Sequence, residues 1–530
     1  MTSDTYITLQ LRDSISQAIG LANGIPQLRG VLEGIQMSLD EPMQLAVIGR
    51  VSSSKSTFVN ALLGEEVVQM GKMVTTYNVC HLKYGNTNTP ITVVFKNGQR
   101  SSVAREKLSE WANSCGKDLK KDVQYLEISY PNDFLKRINI IDTPGLDSAM
   151  NDDSRNTIDY LEKVRPDAII MLFTHGAIAK DTLDTVKQYV GDTHRKLDIS
   201  PLNAIGLYTK IDDNWNVSYI SCNPLTIAKQ TISESIYGLF PDVRETLYSI
   251  FPICARLGLA ASIKKETDWL MFEKLLSLPE NTFRRMLISD GLFVNNAYES
   301  ETGLSSQERA SLLEKYGRYG IYSIVDSIRN NKLNRNNATE WMEDISGLSL
   351  VKKRLMTHFG ERSVLIKSHN LIKQVGEACS DERKRNHDNI DSINQIERCL
   401  LRTMMNIKEY KELDYLSRLY NGVSDELDSN AVDEFKQVCG ESEAGQSVAK
   451  RLGVGKETSI EQMKELISKR MAAANQKANL NMVLSPKNAE LYLMLTQSYK
   501  QLFERIEEMV RKKNDAERVI RVANDFFYGD

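Results

Sequence analysis

The segment from Leu45 to Thr57 constrains the fold of this chain more than any other. It joins an apolar run, Leu45 to Ile48, to a loop rich in serine that ends in Lys55-Ser56, and a helical pattern follows directly. A strand, a loop and a helix in this order are typical of a phosphate-binding loop, because backbone N–H groups and the helix N-terminus then face one anion. The segment therefore predicts an α/β domain around it.

Each part of this loop has a predicted role. Lys55 is expected to reach the β- and γ-phosphates, Ser56 to ligate Mg²⁺, and Ser52 is a candidate for holding the attacking water. Ser54 replaces the second glycine of the usual GxxxxGK[ST] pattern, and a serine-rich turn that caps a helix is the alternative for the loop taken alone. The residues predicted to contact the nucleotide here are Gly49, Arg50, Ser52, Ser53, Ser54, Lys55, Ser56 and Thr57.

A second motif, Asp142-Thr143-Pro144-Gly145, ends the apolar run Ile138 to Ile141. The Asp142 carboxylate can hold Mg²⁺ through water, and the Gly145 N–H can sense the γ-phosphate. The same residue types also form ordinary turns. The next residue is Leu146, which cannot hydrogen-bond the attacking water as the glutamine of small GTPases does. We therefore expect slow basal turnover that self-association accelerates.

Two further motifs predict which base is bound. Thr209-Lys210-Ile211-Asp212 follows an apolar run, and Asp212 can accept hydrogen bonds from the N1–H and N2–H₂ groups of guanine while the Lys210 stem packs over the base. Cys254-Ala255-Arg256 also follows such a run and would present backbone N–H to guanine O6. Each motif ends a predicted strand, so GTP and GDP are the expected nucleotides, and an ATPase or phosphate-loop kinase is disfavoured. The predicted base contacts are Thr209, Lys210, Asp212, Ala255 and Arg256.

Composition sets the outer bounds. A formal net charge of -3 over 530 residues gives no reason to expect a nucleic-acid partner. The seven cysteines are scattered and odd in number, which indicates neither a disulfide framework nor a zinc site. The first residues do not resemble an export signal, so a cytoplasmic protein is expected, with peripheral association with a membrane as an alternative.

Hydrophobic periodicity divides the chain. Short β-rich runs alternate with helical stretches between Met43 and Ala255, whereas apolar residues recur at three- and four-residue steps from about Ser305 onward. The predicted fold is an α/β phosphate-loop GTPase domain with a mixed, mostly parallel sheet, plus an all-α neck and trunk bundle. The predicted segments are an N-terminal helix at 1–41, the GTPase domain at 42–300 and the helical neck and trunk at 301–530.

The motifs together resemble the dynamin superfamily over about Met43 to Ala261, especially bacterial dynamin-like proteins and mitofusins. Among the bacterial members, the type associated with enterotoxin output is the nearest candidate. The resemblance implies a GTPase with a helical neck built from both chain ends, and Thr76 as a catalytic switch residue and Mg²⁺ ligand, with Thr75 as the alternative. The motifs that carry it are Gly49 to Thr57, Val74-Thr75-Thr76, Asp142 to Gly145, Thr209 to Asp212 and Cys254 to Leu259.

The resemblance also implies partners. It predicts a homodimer across the GTPase domains, and lipid or a second dynamin-like protein as further partners, in membrane remodelling or vesicle-associated secretion. No compact apolar, aromatic-rich hairpin is evident between Asp414 and Leu484. A soluble GTP-gated switch or scaffold that binds proteins without lipid is therefore the second hypothesis.

Overall fold

The structure is a computed structural model, and it describes most of the chain. The described residues are 3–67, 79–107, 122–145, 166–174, 178, 180–190, 202–213, 215–217, 223–385, 389–423, 426–441 and 447–528. Two predicted features, the threonine pair at positions 75 and 76 and Leu146, lie outside these residues.

The described strands form one mixed, mostly parallel sheet, as the sequence predicts, and it has nine strands. In chain order they are β1 Met43–Gly49, β2 Val79–Tyr84, β3 Ile91–Phe95, β4 Arg100–Val103, β5 Val123–Tyr130, β6 Ile138–Asp142, β7 Ala168–Thr174, β8 Ala204–Thr209 and β9 Ile250–Pro252. Their order across the sheet is β4-β3-β5-β2-β6-β1-β7-β8-β9.

The parallel half of the sheet positions the candidate site. Strand β1 pairs in parallel with β6 and with β7, and the parallel pairing continues through β8 to β9. Every residue of β6 and β8 is buried, which is typical of parallel strands covered on both faces. Because parallel strands end at the same edge of a sheet, the loops after β1, β6, β8 and β9 lie side by side.

The remainder of the described chain is largely helical, and the sequence predicts most of it. The N-terminal segment consists of two helices, Ser3–Leu21 and Pro26–Ser38, because Pro26 interrupts the segment and begins a new helix. Other described helices of eight residues or more are Lys55–Leu63, Lys180–Val190, Pro224–Thr231, Ala255–Ile263, Glu266–Leu276, Ser306–Arg329, Ala338–Ser346, Leu348–Leu355, Ser363–Arg385, Ile390–Asn406, Glu409–Arg418, Ser429–Val438, Ile460–Leu484 and Pro486–Tyr528.

The chain forms two compact units. One consists of Met37–Lys373 and contains the sheet; the other consists of Met1–Gln36 together with Gln374–Asp530. Within the second unit, the helix Ser3–Leu21 packs against Ile390–Asn406, and the Thr403 hydroxyl donates a 3.0 Å hydrogen bond to Ser14. The division into segments 1–41, 42–300 and 301–530 stays a prediction.

The last two helices form an antiparallel hairpin within the second unit. The Lys464 ammonium pairs with Glu507, and the Lys477 ammonium lies 5.1 Å from the centre of the Tyr492 ring. The partners of successive residues along the first helix lie progressively earlier in the second helix, so the two helices run antiparallel. The end of the helix Ile460–Leu484 and the start of the helix Pro486–Tyr528 therefore form the tip of the hairpin. Across the described ranges, no helix is both long and apolar enough to cross a membrane.

Candidate functional site

The loop after β1 has an unusual backbone. Gly49 ends the strand, Lys55 begins the next helix, and between them Ser52 and Ser54 adopt positive φ angles of 63° and 70°. The left-handed region costs an L-residue about 1–2 kcal/mol, so two serines in it indicate a loop held in shape by its surroundings. Ser53 lies between them and is buried, and its Oγ has no hydrogen-bond partner within the described part of the chain.

Lys55 points back into this loop. Its ammonium donates hydrogen bonds to the carbonyl oxygens of Gly49 and Arg50, each at 2.9 Å. The residue is only 8% exposed, although lysine is seldom buried without partners. The loop therefore encloses a fixed positive charge beside the first turn of the helix Lys55–Leu63, which is an arrangement suited to phosphate.

The Asp142 carboxylate lies beside Ser56. The Ser56 hydroxyl donates a 3.0 Å hydrogen bond to Asp142 Oδ2, while Oδ1 has no hydrogen-bond partner among the described residues. Burial raises the pKa of Asp142 to about 6, against the opposing effects of the Lys55 charge and the Ser56 hydrogen bond. A buried carboxylate with one unused oxygen and a hydroxyl next to it fits a hard divalent cation such as Mg²⁺.

Gly145 permits close approach of the second motif to the loop. A Cβ on Gly145 would lie 2.5 Å from Val51 Cγ2 and 2.8 Å from the Val51 backbone nitrogen, so a side chain does not fit there. The neighbouring Thr143 is fixed by a 2.7 Å hydrogen bond from its hydroxyl to the Val47 carbonyl. The glycine of this motif is therefore required by packing as well as by its predicted contact with phosphate.

The third motif is joined to the phosphate loop directly. The Thr209 hydroxyl lies 3.0 Å from the carbonyl oxygen of Ser53 and 3.1 Å from that of Phe173, and donates to this pair. Lys210 follows with a positive φ of 55°, and Asp212 lies in the turn after it with its side chain 4% exposed. The end of β8 thus fixes both the loop and the carboxylate predicted to read the base.

Arg256 completes this group in a way that sequence reasoning missed. The helix Ala255–Ile263 begins directly after the predicted motif, and the Arg256 guanidinium donates a hydrogen bond to Asp212 Oδ2. The sequence predicts only a backbone contact here. A buried acid in the base pocket is a signal that a cation lies nearby, but the sequence does not indicate which one.

The described site residues therefore lie together along one edge of the sheet. The loop from Gly49 to Thr57, the Asp142 to Gly145 motif, the Thr209 to Asp212 motif and the start of the helix at Ala255 follow β1, β6, β8 and β9. The predicted switch threonine lies outside the described residues. This edge brings together a loop suited to phosphate, a carboxylate suited to a cation and a second carboxylate that is predicted to read a base.

Comparison with known proteins agrees with this geometry. The model of the dynamin family matches residues 45–211, the stretch that contains the first three motifs. Residues 45–211 therefore form a dynamin-family segment of the chain. The chain is 23% identical over 349 residues to the isoniazid-induced protein IniC of Mycobacterium tuberculosis, covering 64% of this chain and 68% of that protein.

The chain is also similar to a second bacterial protein in sequence and to a solved structure. Dynamin-like protein 2 of Campylobacter jejuni is 29% identical over 157 residues, covering 30% of this chain and 24% of that protein. A solved structure described as an oligomerised bacterial dynamin pair aligns with 96% of this chain and 92% of that chain at 13% identity, with a TM-score of 0.30.

Proposed function

We propose that this dynamin-like protein binds GTP with Mg²⁺ at the described edge of the sheet and hydrolyses it to GDP and phosphate. The observation that carries the proposal is the convergence of Lys55, the Ser56–Asp142 pair and Asp212 on that edge. Phosphate, cation and guanine would each find a group of the matching chemistry there. The predicted switch residue Thr76 remains the proposed further Mg²⁺ ligand, with Thr75 as the alternative.

The proposed chemistry assigns one task to each part of the site. Lys55 and the loop N–H groups would hold the β- and γ-phosphates, and Gly145 would contact the γ-phosphate. Ser56 and Asp142 would hold Mg²⁺, which supplies charge neutralisation on the phosphate oxygens when bound. Asp212 would accept the donors of guanine, with Lys210 over the ring and the Ala255 N–H near O6.

The attacking water needs a separate partner, because the residue after Gly145 is a leucine. Ser52 is the proposed partner among the described residues, since it lies exposed in the loop with its backbone in the left-handed region. Arg50 is exposed in the same loop and is a second source of positive charge. We propose that turnover is slow in the monomer and that a second copy, facing this edge, orders the site.

Concentration dependence tests this proposal. Specific GTPase activity should rise across the micromolar range, and a flat profile would count against hydrolysis assisted by a dimer. Ser52→Ala should lower kcat more than GTP affinity, because the hydroxyl is assigned to the water while the predicted contact of this residue with the nucleotide would remain through its backbone. Ser102→Ala, an exposed serine on β4, is the matched control and should behave as the unmodified protein.

Membrane association is a second proposed property, and the tip of the helical hairpin favours it over a purely soluble switch. Val483 is 90% exposed and Leu484 85% exposed at the end of the helix Ile460–Leu484, and Leu480 and Met482 are exposed beside them. Adjacent exposed apolar side chains are costly in water and typical of sites that meet lipid or protein. Burying each would contribute about 1.5–3 kcal/mol.

Liposome co-sedimentation separates the two possibilities. The protein should sediment with vesicles of zwitterionic lipid, and Val483→Asp combined with Leu484→Asp should abolish this without changing GTP turnover in solution. Met405→Asp is the matched control, because Met405 is 76% exposed on another helix of the same unit. Equal sedimentation of the tip variant and the control would show that the tip is not the lipid-binding surface, and absence of sedimentation of the unmodified protein would favour the soluble switch.

A further inference from the structure

The base-reading carboxylate is already paired in this structure. Asp212 Oδ2 accepts a hydrogen bond from the Arg256 guanidinium, and the neighbouring Asp213 Oδ1 lies 4.0 Å from the same Arg256 nitrogen. Cys254 also faces Asp212, and burial followed by the Asp212 charge raises the pKa of its thiol well above the ordinary value, so the thiol stays protonated. The carboxylate is thus satisfied by groups of the protein itself.

A guanidinium and the Watson–Crick edge of guanine present similar chemistry to a carboxylate. Each has adjacent N–H groups in one plane, and a carboxylate can accept two of them side by side. A group that already satisfies Asp212 therefore competes with the base for the same oxygen atoms. We propose that Arg256 acts as a gate of the guanine pocket: it occupies Asp212 in the nucleotide-free protein and must release it when the base binds.

The fold provides a fitted space for the paired position of Arg256. The helix Ser306–Arg329 is interrupted at Gly317, whose φ of 65° and ψ of 168° are not helical. A Cβ on Gly317 would lie 2.7 Å from Arg256 Cζ, so any larger residue would displace the guanidinium. Because Gly317 has no Cβ, the helix leaves room for the Arg256 guanidinium beside Asp212.

Arg256 also has a route away from the pocket. Its side chain is 39% exposed, whereas that of Asp212 is 4% exposed. Rotation of the arginine towards solvent returns a charge to water, but it leaves the acid buried without its cation. Release is therefore unfavourable until the donors of guanine replace those of arginine. Gating of this kind lowers the apparent affinity and the association rate for guanine nucleotides.

The inference rests on the proposed guanine nucleotide binding, and fluorescent GDP titrations test it. Arg256→Ala should bind GDP about tenfold more tightly and associate faster, because its unliganded pocket holds an unpaired acid. GDP should also raise the melting temperature of this variant more than that of the unmodified protein. Arg284→Ala, which removes a surface pair with Glu280, is the control and should leave GDP binding unchanged.

Salt provides an independent readout that also uses the unmodified protein. The pair is partly exposed, so high ionic strength should weaken it, while the phosphate contacts respond to salt equally in both proteins. The ratio of the association rate constants, Arg256→Ala over unmodified, should fall towards one between about 0.05 M and 1 M salt. A ratio that does not change with salt would overturn the gate.

The two proposals fail in different ways. If the unmodified protein binds GDP and folded Arg256→Ala binds equally or more weakly, the gate is wrong while the proposed function stands. Weaker binding would mean that Arg256 supports the bound base. If neither folded protein binds any guanine nucleotide, the proposed function fails and the gate fails with it.

Discussion

The Ser56 hydroxyl donates a 3.0 Å hydrogen bond to the carboxylate of Asp142, 86 residues further along the chain. Ser56 lies in the first turn of the helix Lys55–Leu63, which follows β1, and Asp142 ends β6; these two strands are parallel neighbours. The parallel pairing of the strands therefore brings the two proposed Mg²⁺ ligands together.

Asp142 should destabilise the metal-free protein at neutral pH. Its pKa of about 6 lies above the ordinary value of 3.8, so the folded protein takes up a proton between these values and stability falls as pH rises from about 4 to about 6. Asp142→Asn keeps an acceptor for Ser56 without the charge. It should stabilise the protein by about 1–3 kcal/mol at pH 7.5 in EDTA, and by little near pH 4.

Thermal unfolding without nucleotide measures this difference. Asp133→Asn is the control, because the Asp133 side chain is 89% exposed and should cause little change at either pH. If Asp142→Asn were less stable than the unmodified protein at pH 7.5, the site would stabilise the ionised carboxylate, contrary to this prediction. The same variant should require far more Mg²⁺ to support GTP binding.

Ser54→Gly should tighten GTP and GDP binding by up to about tenfold, the equivalent of ~1.4 kcal/mol. Ser54 has φ 70° and ψ 27° and makes no side-chain hydrogen bond to the helix that it caps, so little is lost with the hydroxyl. Glycine adopts these angles freely, which raises the population of the binding-competent loop. Fluorescent-nucleotide titrations of both proteins, with GTP and ATP as competitors, should show unchanged base preference. Equal or weaker binding would show that the loop is already relaxed around its serine.

Asp212→Asn should weaken GTP binding and favour xanthosine triphosphate, because an amide offers the donor that the 2-oxo group of xanthine needs. Competition between the two nucleotides measures the change in preference. Asp213→Asn is the matched control, since this adjacent acid also faces Arg256 but its side chain is 37% exposed. If the Asp212→Asn protein still preferred GTP over xanthosine triphosphate as strongly as the unmodified protein does, another residue would read the base.

Much of the sheet follows from the sequence. The apolar run Ile138 to Ile141 predicts a strand, and β6 lies at Ile138–Asp142 with every residue buried. Strand β2 contains His81 and Lys83 and was not predicted, since its polar residues find partners only in the folded sheet: His81 bonds Gln44 and Lys83 pairs with Glu127. Local pattern cannot show such partners.

Some residues of the candidate site are likewise evident in the sequence, whereas others are evident only in the fold. Motifs of consecutive residues, such as Lys55-Ser56 and Thr209 to Asp212, were identified because their spacing carries the chemistry. The Arg256–Asp212 pair joins residues 44 positions apart and depends on the break at Gly317, which only the fold reveals. The exposed Val483 and Leu484 belong to a helix end, and an apolar pattern in a helix does not itself distinguish core from tip.

Calorimetric titration of GTP into the unmodified protein and into Lys55→Ala, with Mg²⁺ present, tests the central claim most directly. The unmodified protein should bind GTP and GDP and not ATP, and Lys55→Ala should lose this binding because the charge opposing the β- and γ-phosphates is gone. Lys187→Ala, which removes a surface pair with Asp242, should bind as the unmodified protein does. Unchanged GTP affinity in folded Lys55→Ala would contradict the assignment of the loop from Gly49 to Ser56 as the nucleotide site.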